Sequence, residues 1–264
     1  MAAVARPAHV RGGGGTWRLV LLAVVGIYFA VPFVSALRYA LQSDTGSYTV
    51  SAFSGIAGQS GFGDAFGLSL RLAVLTTVLT LVLMVPTAVY VHLRAPGLRR
   101  LFDGVTLLPV VIPPVVLIIG VLDVAPPALK ATPYLLALEY VVLAMPFAYR
   151  SLDAGLRAID VRTLFDASRS LGGGPLQTLL QVLIPNLRSA VLSATVLTVA
   201  LVLGEYTMAS LDQYQTFPVW IVNFDQDNSH VSVAASFLAL AVTWILLLGL
   251  TAFDTKGSAE AGVG

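Results

Sequence analysis

Six long apolar stretches, separated by polar loops, constrain this chain more than any other feature. They cover about residues 17–41, 68–93, 105–122, 134–152, 190–211 and 231–253. A helix needs about 20 mainly apolar residues to cross a bilayer. In hydrocarbon, only helices and closed barrels satisfy their own backbone hydrogen bonds. The expected fold is therefore all-α, a polytopic membrane protein with six transmembrane helices. Charged residues make up only 11% of the chain, against about 25% in an ordinary soluble domain. The third stretch carries Pro109, Pro113 and Pro114, which predict a kink or an unwound turn.

The division into parts follows. Residues 1–16 (MAAVARPAHVRGGGGT) are small, polar and Gly-rich, and are expected to be a disordered cytoplasmic N-terminus. Residues 17–253 form the transmembrane domain, and 254–264 a cytoplasmic tail. The first apolar run is too long for a cleaved signal and lacks a convincing small-x-small cleavage pattern, so it reads as an uncleaved helix.

Lys and Arg orient the chain. With both ends in the cytoplasm, Arg6, Arg11, Arg18, Arg94, Arg99, Arg100, Arg150, Arg157, Arg162, Arg169, Arg188 and Lys256 lie inside, 12 of the 15 cations. Arg38, Arg71 and Lys130 remain outside. A net charge of +1 offers no basic field for nucleic acid. The absence of cysteine excludes disulfide, thiol and zinc-thiolate chemistry. His9, His92 and His230 are scattered and form no ligand set, so no metal site is expected.

This orientation places one polar loop, about residues 160–188, in the cytoplasm. Its heart is LFDASRSLGGGPLQTLLQVLIP, from Leu164 to Pro185. Asp160 and Asp166 favour a helix start, because acids suit the positive end of a helix dipole. Gly172-Gly173-Gly174-Pro175 ends that helix, and a second is expected over about residues 176–183. A helix, a sharp turn and another helix make a compact knob. The bland alternative is an interfacial amphipathic helix lying on lipid.

The spacing of this loop resembles that of ATP-binding cassette (ABC) importer permeases, whose loop runs Glu-Ala-Ala, three residues, Gly, nine residues, Ile-x-Leu-Pro. Ala167, Gly172 and Pro185 match by identity, and Asp166, Ser168, Val182 and Ile184 are conservative departures in register. Ser69-Leu70, Thr76-Thr77 and Pro86-Thr87-Ala88 resemble the helix that opens the family's core, and Leu107-Leu108-Pro109 with Pro113-Pro114 resembles the next. The likeness covers about residues 66–252. It implies an ATPase-coupling loop at Asp166, Ala167, Ser168, Gly172, Gly173 and Pro185 that docks on a separate subunit. It further implies two ATP-binding partner subunits, a second and related permease, and an extracytoplasmic solute-binding protein in a bacterial inner membrane. ATP and Mg would belong to the partners. The chain itself has no Gly-x4-Gly-Lys-Ser/Thr loop, so it is expected to bind no cofactor and to be a transport subunit rather than an enzyme. The branch it resembles imports polyamines, iron, sulfate, molybdate and similar solutes.

Glu205 is the candidate pathway residue, because a carboxylate within a membrane helix is costly. At helical spacing, Ala194, Thr198, Leu201, Glu205, Met208 and Asp212 share one face. Thr198, Glu205, Met208 and Asp212 are expected to line the passage. Glu205 alternatively bonds a neighbouring helix, and Glu139 reads as structural. Tyr214, Trp220 and Phe224 are interface anchors or an outer gate, beside Asp212, Asp225 and Asp227. Acids and aromatics together suit an ammonium solute, so a polyamine is the first expectation. An inorganic anion, iron or a sugar is the alternative within the class. A secondary transporter with Glu205 as proton carrier would need an internal repeat, which is not evident. An intramembrane protease would need a nucleophile motif, and none is present.

Overall fold

The computed structural model describes residues 15–42, 46–130, 132–224 and 228–261. The described residues are helical, with no strand beyond an isolated Gln42–Tyr48 bridge. In chain order the main helices are α1 Gly15–Ala40, α2 Phe62–Arg94, α3 Arg99–Val111, α4 Pro114–Val124, α5 Pro133–Ala158, α6 Val161–Ser170, α7 Pro175–Thr178, α8 Arg188–Gly204, α9 Thr207–Leu211, α10 Phe217–Phe224 and α11 Ser229–Ala261.

Three of the expected spans are uninterrupted: Trp17–Ala40, Phe62–Arg94 and Pro133–Ala158. Two more exist only as bent pairs, Pro96–Val111 with Pro114–Val124 at 98° and Pro175–Asn186 with Arg188–Gly204 at 82°. Length and apolarity thus support three spans among the described residues, or five if each bent pair is one span. The apolar described part of α11, Ser229–Ile245, is shorter than a full span. Residues 1–14 lie outside the described residues, and the expected C-terminal tail is helical as far as Ala261.

The sharpest bend has a local cause. A residue before proline is pushed out of the helical region by the proline ring. Ile112 precedes Pro113, and Pro113 precedes Pro114, so two successive residues are extended, with ψ of 125° and 134°. The Pro113 carbonyl then accepts from Val116 and Leu117 N–H and starts α4. The prolines predict a kink or an unwound turn, and the result is a bend of 98°.

Helix α5 is the central element. It packs most extensively on α2 and α8, and then on α3. Its Leu136, Ala137, Tyr140, Ala144, Ala148 and Tyr149 are fully buried. Polar groups on α2 tie this core together: Thr76 donates to the Ala137 carbonyl at 3.3 Å, and Ser69 Oγ accepts from Phe217 N–H at 2.7 Å. At the other end of α5, a Cβ on Gly155 would lie 2.4 Å from Ala190 Cβ, so only glycine lets α5 and α8 cross this closely. By contrast, α1 carries its apolar side chains exposed and touches α11. Bare apolar surface of this kind is the expected state for a lipid-facing helix.

Candidate functional site

The loop between α5 and α8 folds as a knob. Asp160 caps α6: its carboxylate accepts from Thr163 N–H at 3.1 Å and from Thr163 Oγ1 at 2.7 Å. These two bonds, side-chain first, lower the Asp160 pKa from its ordinary value. At the other end of α6, Leu171 N–H bonds the Ala167 carbonyl and Gly172 N–H bonds that of Arg169. Gly172 has φ of +86°, the left-handed conformation in which helices commonly stop. Gly173 N–H then reaches back to the Ser168 carbonyl at 2.9 Å. A Cβ on Gly173 would sit 2.6 Å from Ser168 Oγ and 2.9 Å from Ser168 O, so the turn closes only around a glycine.

Ser168 also joins the two arms of the knob, its hydroxyl lying 2.8 Å from that of Thr178 on α7. The second arm is longer than the expected 176–183. It runs from Pro175 to Asn186, with a π-helical stretch Leu179–Leu183 in its middle. Pro185 explains the π-stretch, since its missing N–H and bulky ring disturb the preceding ladder. Ile184 N–H accordingly bonds back to the Leu179 carbonyl.

The predicted loop residues are thus brought together, but not in equal roles. Asp166 and Ala167 are exposed on α6, whereas Ser168, Gly172, Gly173 and Pro185 shape the turn and arms. The inward side of the knob is apolar: Val161, Leu183 and Leu187 pack on Leu152 and Leu156 of α5. Three outward residues have no place in the motif reading. Leu171 is 90% exposed, Leu176 67% and Leu180 53%. Their signal was present in the sequence as leucines flanking the Gly-Gly-Gly-Pro break, on a loop too short to bury them all.

The pathway set differs from expectation at its centre. Glu205 does not sit mid-helix. Helix α8 ends at Gly204, Glu205 is extended with ψ of 119°, and α9 begins at Thr207. Its carboxylate accepts from Met208 N–H at 2.9 Å and Ala209 N–H at 3.3 Å, so it caps α9. The expected single face through Thr198, Glu205, Met208 and Asp212 is therefore broken. Thr198 is buried and spends its hydroxyl on the Ala194 carbonyl, and Met208 is fully buried in the core. Glycine favours such a break, and a carboxylate near a helix start stabilises the new one.

Glu139, read as structural, is 2% exposed on α5 and faces Asp212 and Glu205. The four oxygens of the Glu139 and Asp212 carboxyls are buried, and the two groups interact with each other rather than with a basic side chain. The structure thus gathers three acids: Glu139 from α5, Glu205 from the α8–α9 break and Asp212 from the end of α9.

The aromatic set is split. Tyr214 packs beside Met208 and Ala209. Trp220 is buried instead in a second cluster, stacked on Phe224 at 4.9 Å, edge-on to Phe62 at 5.6 Å, and donating to the Ser60 carbonyl at 2.9 Å. Trp220 thus packs in a different cluster from Tyr214. Trp220 and Phe224 border an open cleft of about 390 Å³ with Asp64, Gln215 and Asn223. Asp225 and Asp227 lie outside the described residues. Among the described residues, no group of acids or histidines could hold a metal ion.

A bundle of apolar helices with bent spans, and a capped, glycine-closed knob between two of them, defines a multi-pass membrane protein. No known family profile matches the chain. It is 32% identical over 219 residues to the molybdenum transport system permease protein ModB of Azotobacter vinelandii, covering 75% of this chain and 96% of that one. It is 24% identical over 254 residues to the probable transport system permease protein NifC of Clostridium pasteurianum, covering 87% and 85%. The chain belongs to the permease family of ABC transport systems. Its fold matches a chain of a bacterial ABC transporter involved in import of the acidic polysaccharide alginate, with a TM-score of 0.67 at 15% identity, covering 94% of this chain and 99% of that one. A chain of the alginate transporter in complex with an alginate pentasaccharide-bound periplasmic protein matches with a TM-score of 0.65 at 12% identity, covering 89% and 92%. The chain is thus the permease component of an ABC importer, a transport component in a membrane. Neither relative is named for a polyamine, so the polyamine expectation finds no support.

Proposed function

We propose that this permease forms half of an alternating-access pathway for an inorganic oxyanion of the molybdate type. A relative at 32% identity is named for molybdenum transport, and that likeness carries the substrate reading. In this reading the chain lies in the bacterial inner membrane with both ends in the cytoplasm. Two separate ATPase subunits dock on the 160–188 loop, a second permease completes the passage, and an external binding protein delivers solute. Leu171, Leu176 and Leu180 favour the docking step, since three exposed leucines on a cytoplasmic loop require a covering surface. ATP-driven closure of the partners draws the loops together and opens the outer side. Hydrolysis resets the inward-facing state.

The test is uptake in proteoliposomes holding the permease with its co-encoded ATPase and binding protein. Labelled molybdate, sulfate and putrescine are compared, each with and without ATP. ATP-dependent molybdate uptake is the expected result. Putrescine uptake with no molybdate uptake overturns the oxyanion reading. Uptake without any ATPase present overturns the importer mechanism.

A further inference from the structure

Asp153 stands where α5 emerges towards the coupling loop, and it is 7% exposed. A buried carboxylate is costly unless it is paired. Here it is paired from three directions. Arg99, the first residue of α3, donates from Nε at 2.8 Å and from its terminal nitrogen at 2.6 Å, both to Oδ1. Arg157, one turn along α5, reaches Oδ2 at 2.6 Å. His92, in the last turn of α2, brings Nε2 to 3.5 Å of Oδ1. One carboxylate therefore fastens α5 to the start of α3, with the His92 ring at the end of α2 lying alongside.

The neighbourhood makes this fastening directional. Two residues along α5, Gly155 lies against Ala190, and Leu152 and Leu156 pack on Leu183 and Leu187. The knob thus bears on the same turn of α5 that Asp153 occupies. On the far side, α3 leads through the 98° bend into α4, and α4 packs against α9, the helix that Glu205 caps. Along the α3 side, Arg99–Asp153 is the polar connection between the knob-bearing turn and the bent pair.

From this geometry we infer that Asp153 is a positioning residue for coupling: it carries displacement of the loop into the α3–α4 bent pair. The inference rests on the proposed docking of ATPases at the loop. Arg157 cannot serve the same purpose, because it lies on the same helix as Asp153 and is 57% exposed. That difference separates transmission between helices from mere charge neutralisation.

The chain has no cysteine, so single cysteines can be introduced for spin labels. Labels at Ser170, on the knob, and Gly104, exposed on α3, report the distance between loop and bent pair. The reconstituted complex is measured with and without ATP by pulsed electron resonance. In the unsubstituted background the distance distribution stays narrow in both states. In Asp153→Asn and Arg99→Gln it broadens, and the double variant is no broader than either. Arg157→Gln leaves it unchanged. In the same vesicles, molybdate moved per ATP falls by about 2- to 30-fold in Asp153→Asn, the range spanned by known coupling mutations. A distribution in Asp153→Asn identical to the parent overturns the inference, as does an equal broadening in Arg157→Gln. Failure of molybdate uptake in the parent overturns the substrate reading alone, because the label distances do not depend on solute.

Discussion

The close approach of α5 and α8 at Gly155 yields the sharpest prediction. In Gly155→Ala, the new methyl would lie 2.4 Å from Ala190 Cβ. Ordinary carbon contacts are ~3.5–4.0 Å, so α5 and α8 must part by about 1.1–1.6 Å unless a partner is trimmed. Overpacking of this size costs about 1–3 kcal/mol. Exchanging glycine and alanine also changes helix propensity by about 1 kcal/mol, in opposite directions at the two sites. Those propensity effects are local, so they cancel in a double-mutant cycle with Ala190→Gly. What survives is the clash. The interaction energy should therefore be about 1–3 kcal/mol, with the double variant more stable than the two singles predict. The remaining neighbour, Leu187 Cδ2 at 3.3 Å, is the flexible end of a side chain and can yield. The assay is equilibrium unfolding of the purified permease in mixed micelles, followed by far-ultraviolet circular dichroism. At 1.4 kcal/mol per tenfold, the effect spans about 5- to 150-fold in the folding ratio. Strict additivity of the two substitutions would refute the close crossing.

Three further outcomes are expected. Gly172→Pro should abolish ATPase coupling while leaving membrane insertion intact, because proline cannot adopt φ of +86° and removes the N–H bonded to Arg169; coupled hydrolysis in reconstituted vesicles is the measure, and normal coupling refutes the knob assignment. Glu205→Ala should cost about 0.5–2 kcal/mol through loss of the cap on α9 and speed hydrogen exchange at Met208 and Ala209, whereas Glu205→Gln keeps an accepting oxygen and should retain oxyanion uptake. Acid should loosen α6: the folded-state Asp160 pKa lies below its ordinary value, so the cap's stabilisation is complete above the unfolded pKa and is lost as pH falls through the folded one; carboxyl carbon shifts of labelled Asp160 follow this directly, and an unshifted titration contradicts it.

Legibility differed between the loop and the pathway for physical reasons. The Gly172 turn, the Asp160 cap and the helix–turn–helix outline could be anticipated, because each depends on residues within a few positions of one another. The role of Ser168 was only half visible: its spacing placed it in the motif, but its bond to Thr178 required the arms to fold together. Glu205 was expected within a helix and lies instead at a break between two. A periodic reading carries a helix straight through Gly204, whereas the backbone breaks there and uses the carboxylate as a cap. Trp220 was assigned by its type to the membrane interface or a gate, and aromatic packing with Phe62 and Phe224 draws it inside. The polyamine expectation found no support in the named relatives, because acids counted near an outer surface do not identify a cargo.

The sequence by itself determined that this chain lives among lipid tails as helices, and that one loop ends in a glycine-closed turn. Both are consequences of local composition, set by transfer of apolar residues out of water and by the conformations open to glycine and proline. Only the tertiary structure decided that two spans are bent pairs, that Gly155 meets Ala190, and that Asp153 gathers Arg99, Arg157 and His92. Those contacts join residues far apart in the chain, and their free energy depends on close packing and on burial of charge, which no short window of sequence contains.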